Sequence, residues 1–258
     1  MPQDTATNLY ASPVSVKGQE DCRFYHSIDL PELGPVTGDW DLRHCAAEYL
    51  GNVDFAGKRA LDMGAASGFL SFEMEKRGAD VVSFDMVSGR QWNFVPYPDF
   101  MADIDAQLDR LEAGATKIRN SYWLSHQLLK SKARAYYGDI YQPLPAELGQ
   151  FDIAIFGMIF SHLRDPFGAM AAILPSVREK VIVTNTYLNN PQPIAAFIPS
   201  KENLAQQAFW VPTKTCVEKM LSVFGFQVVD MVDSKPLCTV PGHNDTDCTA
   251  IVAERIEG

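Results

Sequence analysis

The chain has 258 residues, enough for one α/β domain with added segments, and its 47% apolar content is ordinary for a globular protein. No apolar run reaches the roughly 18 residues of a membrane-spanning helix. A net charge of -10 argues against nucleic acid as the main partner, since such proteins usually carry a basic footprint, and favours a small-molecule ligand.

The first residues, Met-Pro-Gln-Asp-Thr-Ala-Thr, have neither the basic start nor the apolar core of a signal peptide, and the stretch to about Gly18 reads as a loose arm. Phe24 to Arg43 is rich in aromatics, prolines and glycines, and a helix is expected from Asp41 to Leu50. Residues 1–50 thus read as an arm and cap segment on a domain of residues 51–258. Ala60 to Met63 is a short apolar strand, and Gly64 and Gly68 open a turn that a ligand can approach closely. A helical apolar face starts at Phe69 and Gly78 ends it. Val81 to Phe84 is a second strand with Asp85 at its end, which completes one β-α-β unit.

About 45 residues then precede the third strand, more than a simple crossover needs. Gln91 to Phe100 is aromatic and proline-punctuated, Ile104 to Leu111 reads as a short helix, and Asn120 to Lys130 as the crossover helix. Residues 88–119 are expected to form a lid-like insertion over the sheet edge. Strands follow at Ala133–Tyr137, Phe151–Phe156 and Val181–Thr184. A helix runs from Lys214 to Phe224 and stops at Gly225, and Phe226–Val232 and Thr249–Ala253 make a terminal antiparallel pair. The expected fold class is α/β: a Rossmann-like, seven-stranded, mostly parallel sheet with helices on both faces and the last strand antiparallel.

The five cysteines form no Cys-x-x-Cys pair, so reduced thiols and a cytoplasmic location are expected. Cys238, His243, Asp245, Asp247 and Cys248 match no zinc spacing and read as a polar loop between strands; no metal and no membrane partner is expected. The glycine turn is spaced Gly64-x-x-x-Gly68, with Ala66 where a dinucleotide fingerprint has its middle glycine, which speaks against a nicotinamide-dependent oxidoreductase. Asp62 beside the turn would repel a phosphate and attract a cation. S-adenosyl-L-methionine (SAM) carries a sulfonium and an ammonium and no phosphate.

Here the segment resembles motif I of the class I SAM-dependent methyltransferases. The resemblance implies that Asp62, Gly64, Ala65, Ser67 and Gly68 hold the methionine end of SAM, that Asp85 with Met86 holds the ribose, and that Asp139 and Ile140 meet the adenine. The alternative for Asp139 is a turn residue after Gly138, and the adenine role is the favoured one. Gly157-Met-Ile-Phe-Ser-His-Leu-Arg-Asp-Pro166 resembles the motif IV region that faces the transferred methyl group. Asp165 before Pro166 is a natural helix start. A further similarity, from Phe24 to Val229, is to the bacterial subgroup related to wobble-uridine tRNA methyltransferases. Tyr25-His26, Trp40-Asp-Leu-Arg43, Gly138-Asp139-Ile140, His162-Leu-Arg-Asp-Pro166, Phe209-Trp-Val-Pro-Thr213 and Gly225-Phe226 carry it. Such tRNA enzymes use a carboxylated SAM and a basic N-terminal region; this chain has no such region and no arginine pair after Asp230, so plain SAM and a small substrate are the inference.

His162 can serve as a general base or can order its loop, with His126 and His26 as further base candidates. Tyr25, Trp40, Trp92, Tyr122, Trp123 and Trp210 are candidates for an aromatic substrate wall. Arg43 can pair with an acidic substrate or with an internal carboxylate. The function expected is methyl transfer from SAM to a small acceptor at oxygen or nitrogen. The competitors are a tRNA methyltransferase of the wobble-uridine type and a non-catalytic SAM-binding module.

Overall fold

A computed structural model describes residues 9–205 and 207–256. Its centre is one seven-stranded sheet: β1 (Arg59–Met63), β2 (Asp80–Asp85), β3 (Arg134–Tyr137), β4 (Phe151–Gly157), β5 (Val177–Asn185), β6 (Phe226–Ser234) and β7 (Cys248–Arg255). The strand order is β6-β7-β5-β4-β1-β2-β3. Only β7 runs antiparallel, inserted between β5 and β6. The terminal pair expected from the sequence is therefore present, with β6 rather than β7 at the edge.

Successive residues of β1 feed opposite cores, as the period of a strand requires. Ala60 packs with the layer built from Leu70, Phe72 and Trp123, while Leu61 and Met63 pack with Met170, Val217 and Leu221. Both faces are covered, so β4 is buried throughout from Phe151 to Phe156; its one charged residue, Asp152, accepts from Arg59 N at 2.7 Å. Helices α1 (Ala46–Tyr49), α2 (Phe69–Lys76) and α4 (Ile104–Leu129) contribute to the first layer; α5 (Pro166–Ile173) and α6 (Lys214–Val223) contribute to the second. α3 (Pro98–Met101) lies in the segment between β2 and α4. Helix starts follow their chemistry. The Asp165 carboxylate accepts from Gly168 N at 2.8 Å with Pro166 in the first turn, and the Thr213 hydroxyl accepts from Cys216 N at 3.1 Å.

Three local expectations are corrected. The two helices expected at 104–111 and 120–130 are one helix of 26 residues. Leu111, Ala115, Ile118 and Tyr122 keep a continuous stripe across the interval, and it outweighs the roughly 1 kcal/mol that Gly114 costs inside a helix. The helix expected from Asp41 shortens to α1 because Asp41 is used otherwise: it pairs with Leu237 in a two-stranded ribbon, and its carboxylate accepts from Arg43 N at 3.0 Å. The arm before Leu9 lies outside the described residues. From Leu9 onward it is anchored rather than loose: Ala11 N donates to Ala135 O at 2.8 Å, the Arg134 guanidinium lies 4.8 Å from the Tyr10 ring centre, and Val16 is buried. No described helix is long and apolar enough to cross a membrane.

Candidate functional site

The carboxyl ends of β1, β2, β3 and β4 meet at one edge of the sheet, which is where ligands bind in open α/β sheets. A cavity of about 1000 Å³ opens there. It sits at the upper end of the roughly 300–1,000 Å³ typical of small-ligand sites. Segments from three other regions wall it: Tyr25, His26 and Trp40; Trp92 with Leu111 and Arg119; and Cys238, His243 and Cys248.

The turn after β1 is shaped by backbone that only small residues allow. Gly64 has φ +79 and Gly68 φ +89, and a Cβ on Gly64 would lie 2.6 Å from Ile159 Cδ1. Even Ala66 takes a positive φ of 49 at the tip. Gly64 N and Ala65 N both donate to Phe84 O, at 2.9 and 3.0 Å, which locks the turn to β2. The Asp85 carboxylate holds the tip itself: Oδ2 accepts from Ala66 N at 2.9 Å and Oδ1 from Met86 N at 2.7 Å. Each oxygen keeps a further lone pair for a ligand hydroxyl. Burial pushes this carboxyl up, against the two amides and the Arg119 guanidinium, which favour the charged form.

Of the residues expected to hold the cofactor, Gly64, Ala65, Asp85, Met86, Asp139, Ile140 and Gly157 line the cavity. Asp62, Ser67 and Gly68 lie behind it. Asp62 is 1% exposed and accepts from the Ser71 hydroxyl at 2.6 Å; burial pushes its carboxyl up to about 6. Ser67 Oγ accepts from His26 N at 3.0 Å and so ties the N-terminal segment to the glycine turn. Asp139 accepts from Tyr141 N at 3.0 Å, so it holds a turn while facing the cavity.

The histidines separate clearly. His162 lines the cavity, and its Nδ1 lies 2.6 Å from Gln207 O. A carbonyl only accepts, so Nδ1 carries the hydrogen and Nε2 keeps its lone pair. Burial lowers the pKa of His162 despite that bond, which keeps the ring neutral at pH 7. His26 also lines the cavity; its Nδ1 is buried without a partner, and burial lowers its pKa to about 4. His126 lies outside the cavity, where Nε2 meets Ala133 O at 2.9 Å and fixes the turn from α4 into β3.

Tyr25, Trp40, Trp92 and Tyr122 line the cavity; Arg43, Trp123 and Trp210 do not. Arg43 is spent on Asp29 and Asp41, an internal brace. Trp123 packs against His126 with ring centres 5.3 Å apart. Trp210 Nε1 donates to Arg164 O at 3.1 Å, and its ring borders a separate groove with Phe94 and Phe197. All five cysteines are free, and no group of three metal-ligating side chains occurs among the described residues.

Two parts of the wall were not expected. The Tyr141 hydroxyl donates to Asn93 Oδ1 at 2.5 Å, and both oxygens accept from Arg164 N, at 3.1 and 2.8 Å, which knots the insertion to the loop after β4. The β6–β7 loop also reaches the cavity because β6 ends at the same edge as β1, and Cys238 pairs with Trp40 beneath it. Strand direction was the signal for the second; nothing in the sequence signalled the first.

No family model and no curated protein matches the sequence. Solved structures do resemble the fold. A 1,6-didemethyltoxoflavin N1-methyltransferase from Burkholderia thailandensis is 14% identical, with 84% of this chain and 78% of that one covered and a TM-score of 0.51. The magnesium protoporphyrin IX methyltransferase of Synechocystis is 12% identical, with 83% and 82% covered and a TM-score of 0.51. A protein from Pyrococcus horikoshii described as a candidate RNA methyltransferase is 14% identical, with 82% and 80% covered and a TM-score of 0.50. The chain therefore has the fold that these SAM-dependent and related methyltransferases share.

Proposed function

We propose that the protein is a SAM-dependent methyltransferase whose acceptor is a small molecule with an attacking oxygen or nitrogen. The observation that carries this reading is the Asp85 carboxylate, pinned by the Ala66 and Met86 amides at the mouth of the glycine turn and facing the cavity. A vicinal diol such as a ribose fits that acceptor pair. The small residues Gly64, Ala65 and Ala66 in the cavity wall offer the close approach that the methionine end needs. Asp139 and Ile140 border the place left for the adenine.

When bound, SAM supplies an electrophilic methyl carbon on a sulfonium. The chain's own work is to hold the nucleophile in line with it and to exclude water. Tyr25, Trp40 and Trp92 provide an aromatic wall suited to a cation and to a flat acceptor. His162 Nε2, neutral and unprotonated, can take the proton that an attacking hydroxyl or amine must lose. The cavity volume leaves room for an acceptor beside the cofactor, which favours an enzyme over a binding module. The cations on the wall are largely engaged within the protein: Arg23 with Asp39, Arg119 with the Met86 and Val87 carbonyls. That favours a small acceptor over tRNA.

The test is transfer of labelled methyl from SAM to fractionated small metabolites and, separately, to tRNA, each at low and high salt. Label in a small hydroxyl- or amine-bearing compound supports the proposal. Label in tRNA, lost steeply with salt, replaces it with the RNA reading.

A further inference from the structure

Tyr122, Ser83, Ser71 and Asp62 form one unbroken buried chain of hydrogen bonds. Tyr122 Oη lies 2.9 Å from Ser83 Oγ, Ser83 Oγ 2.7 Å from Ser71 Oγ, and Ser71 Oγ 2.6 Å from Asp62 Oδ2. None of the four residues is more than 3% exposed. They come from α4, β2, α2 and β1 in turn, so four elements must agree for the chain to exist.

A carboxylate only accepts, and this sets the direction of every bond. Ser71 gives its hydrogen to Asp62, Ser83 gives its own to Ser71, and Tyr122 gives its own to Ser83. The Tyr122 oxygen is left with lone pairs and no hydrogen to offer. Tyr122 and Ser83 line the cavity, whereas Ser71 and Asp62 do not. The Tyr122 ring also packs directly under the glycine turn, where a Cβ on Gly68 would lie 2.7 Å from its Cδ2. The anionic end of the chain lies behind the cavity wall, and its Tyr122–Ser83 end belongs to that wall.

We propose that Tyr122 contacts the cationic amino-acid end of the cofactor, and that Asp62 is a positioning residue which holds the Tyr122 hydroxyl as an acceptor through Ser71 and Ser83. The inference rests on the SAM reading above. An ammonium group offers donors only, so it is served by an acceptor already fixed in place, with no hydroxyl rotor to order on binding. The charged and titratable neighbours of the chain are Asp85 and Glu75, the phenols of Tyr49 and Tyr137, and the His126 ring 6.1 Å from that of Tyr122. The two carboxylates reinforce a site for positive charge.

The experiment compares SAM with adenosine, which lacks the amino-acid end, by calorimetric titration of wild type, Tyr122→Phe, Ser83→Ala and Tyr122→Phe/Asp62→Asn, each checked for folding by thermal melt. Tyr122→Phe removes the acceptor, and Ser83→Ala frees the phenol hydrogen to turn toward the ligand. The expected result is SAM affinity about tenfold weaker in both single variants, adenosine affinity unchanged, and a double variant little worse than Tyr122→Phe. Unchanged SAM affinity in the folded single variants, or SAM and adenosine weakened alike, overturns the inference while leaving the SAM reading intact. A wild-type protein that binds neither ligand overturns the SAM reading, and the inference with it.

Discussion

Replacing Asp85 by alanine should cost the protein its grip on any adenosyl ligand, and the geometry sets the scale. Both carboxylate oxygens already accept one backbone amide each, from Ala66 at 2.9 Å and Met86 at 2.7 Å. The lone pairs that remain face the cavity and can take two hydroxyl hydrogens from a ribose. Two charge-assisted bonds made by one rigid group are worth about 2–4 kcal/mol, or roughly 30- to 1,000-fold in dissociation constant. Removal relieves the burial penalty on the carboxylate but frees the Ala66 and Met86 amides, so folding of the variant is checked separately. Calorimetric titration with S-adenosylhomocysteine (SAH) reads the affinity without turnover, and a thermal melt confirms folding. A folded Asp85→Ala protein whose affinity stays within about twofold of wild type would refute the ribose assignment.

The remaining expectations concern the histidines and the turn. His162 should titrate below 6.5 in an NMR pH series and show the hydrogen on Nδ1, as its bond to Gln207 O requires; titration at or above 6.5 contradicts the base role. His162→Gln should keep SAM affinity and lose about 100-fold or more in methyl transfer to a protonated acceptor. His26 is held neutral with a pKa of about 4, so its contribution to stability is present above pH 6.5 and is lost as the pH falls toward 4. A lowering of that size corresponds to about 3 kcal/mol. Asp62 works in the opposite sense: raised to about 6, its carboxylate costs stability above that pH, and the cost is relieved as the pH falls toward 3.8. The His26 effect is therefore read as the difference in urea stability between wild type and His26→Phe, which should shrink from pH 6.5 to 4; a constant difference removes the argument. Gly68→Ala should destabilise by about 1–3 kcal/mol, since φ is +89 and the new Cβ would lie 2.5 Å from Phe72 Cε2 and 2.7 Å from Tyr122. An unchanged melting temperature would contradict it.

The sheet was legible because each strand announces itself within a few residues. Phe151 to Phe156 is apolar but for Asp152, and Ala60 to Met63 leads into a glycine turn that ends at Gly68. Strand direction placed Asp85 and Gly157 at the edge where a ligand crevice forms, and the resemblance to the methyltransferases supplied their roles. What failed depended on partners distant in sequence. Asp41 left its expected helix because Leu237, nearly two hundred positions away, offered a ribbon. Arg43 and Trp210 look like ligand residues in isolation, yet Asp29 and the Arg164 carbonyl claim them. The insertion hid a single long helix because Gly114 interrupts the composition without interrupting the stripe of Leu111, Ala115, Ile118 and Tyr122. Asp62 was read as facing the ligand; only the folded chain reveals the two serines and the tyrosine between it and the cavity.

The most direct test of the central claim is calorimetric titration of the purified wild-type protein with SAM, SAH and NAD. Micromolar binding of both adenosyl ligands with none of NAD is the expected result. Binding of NAD, or of none of the three, would contradict it and would leave the glycine turn as a packing device or as the floor of a different site.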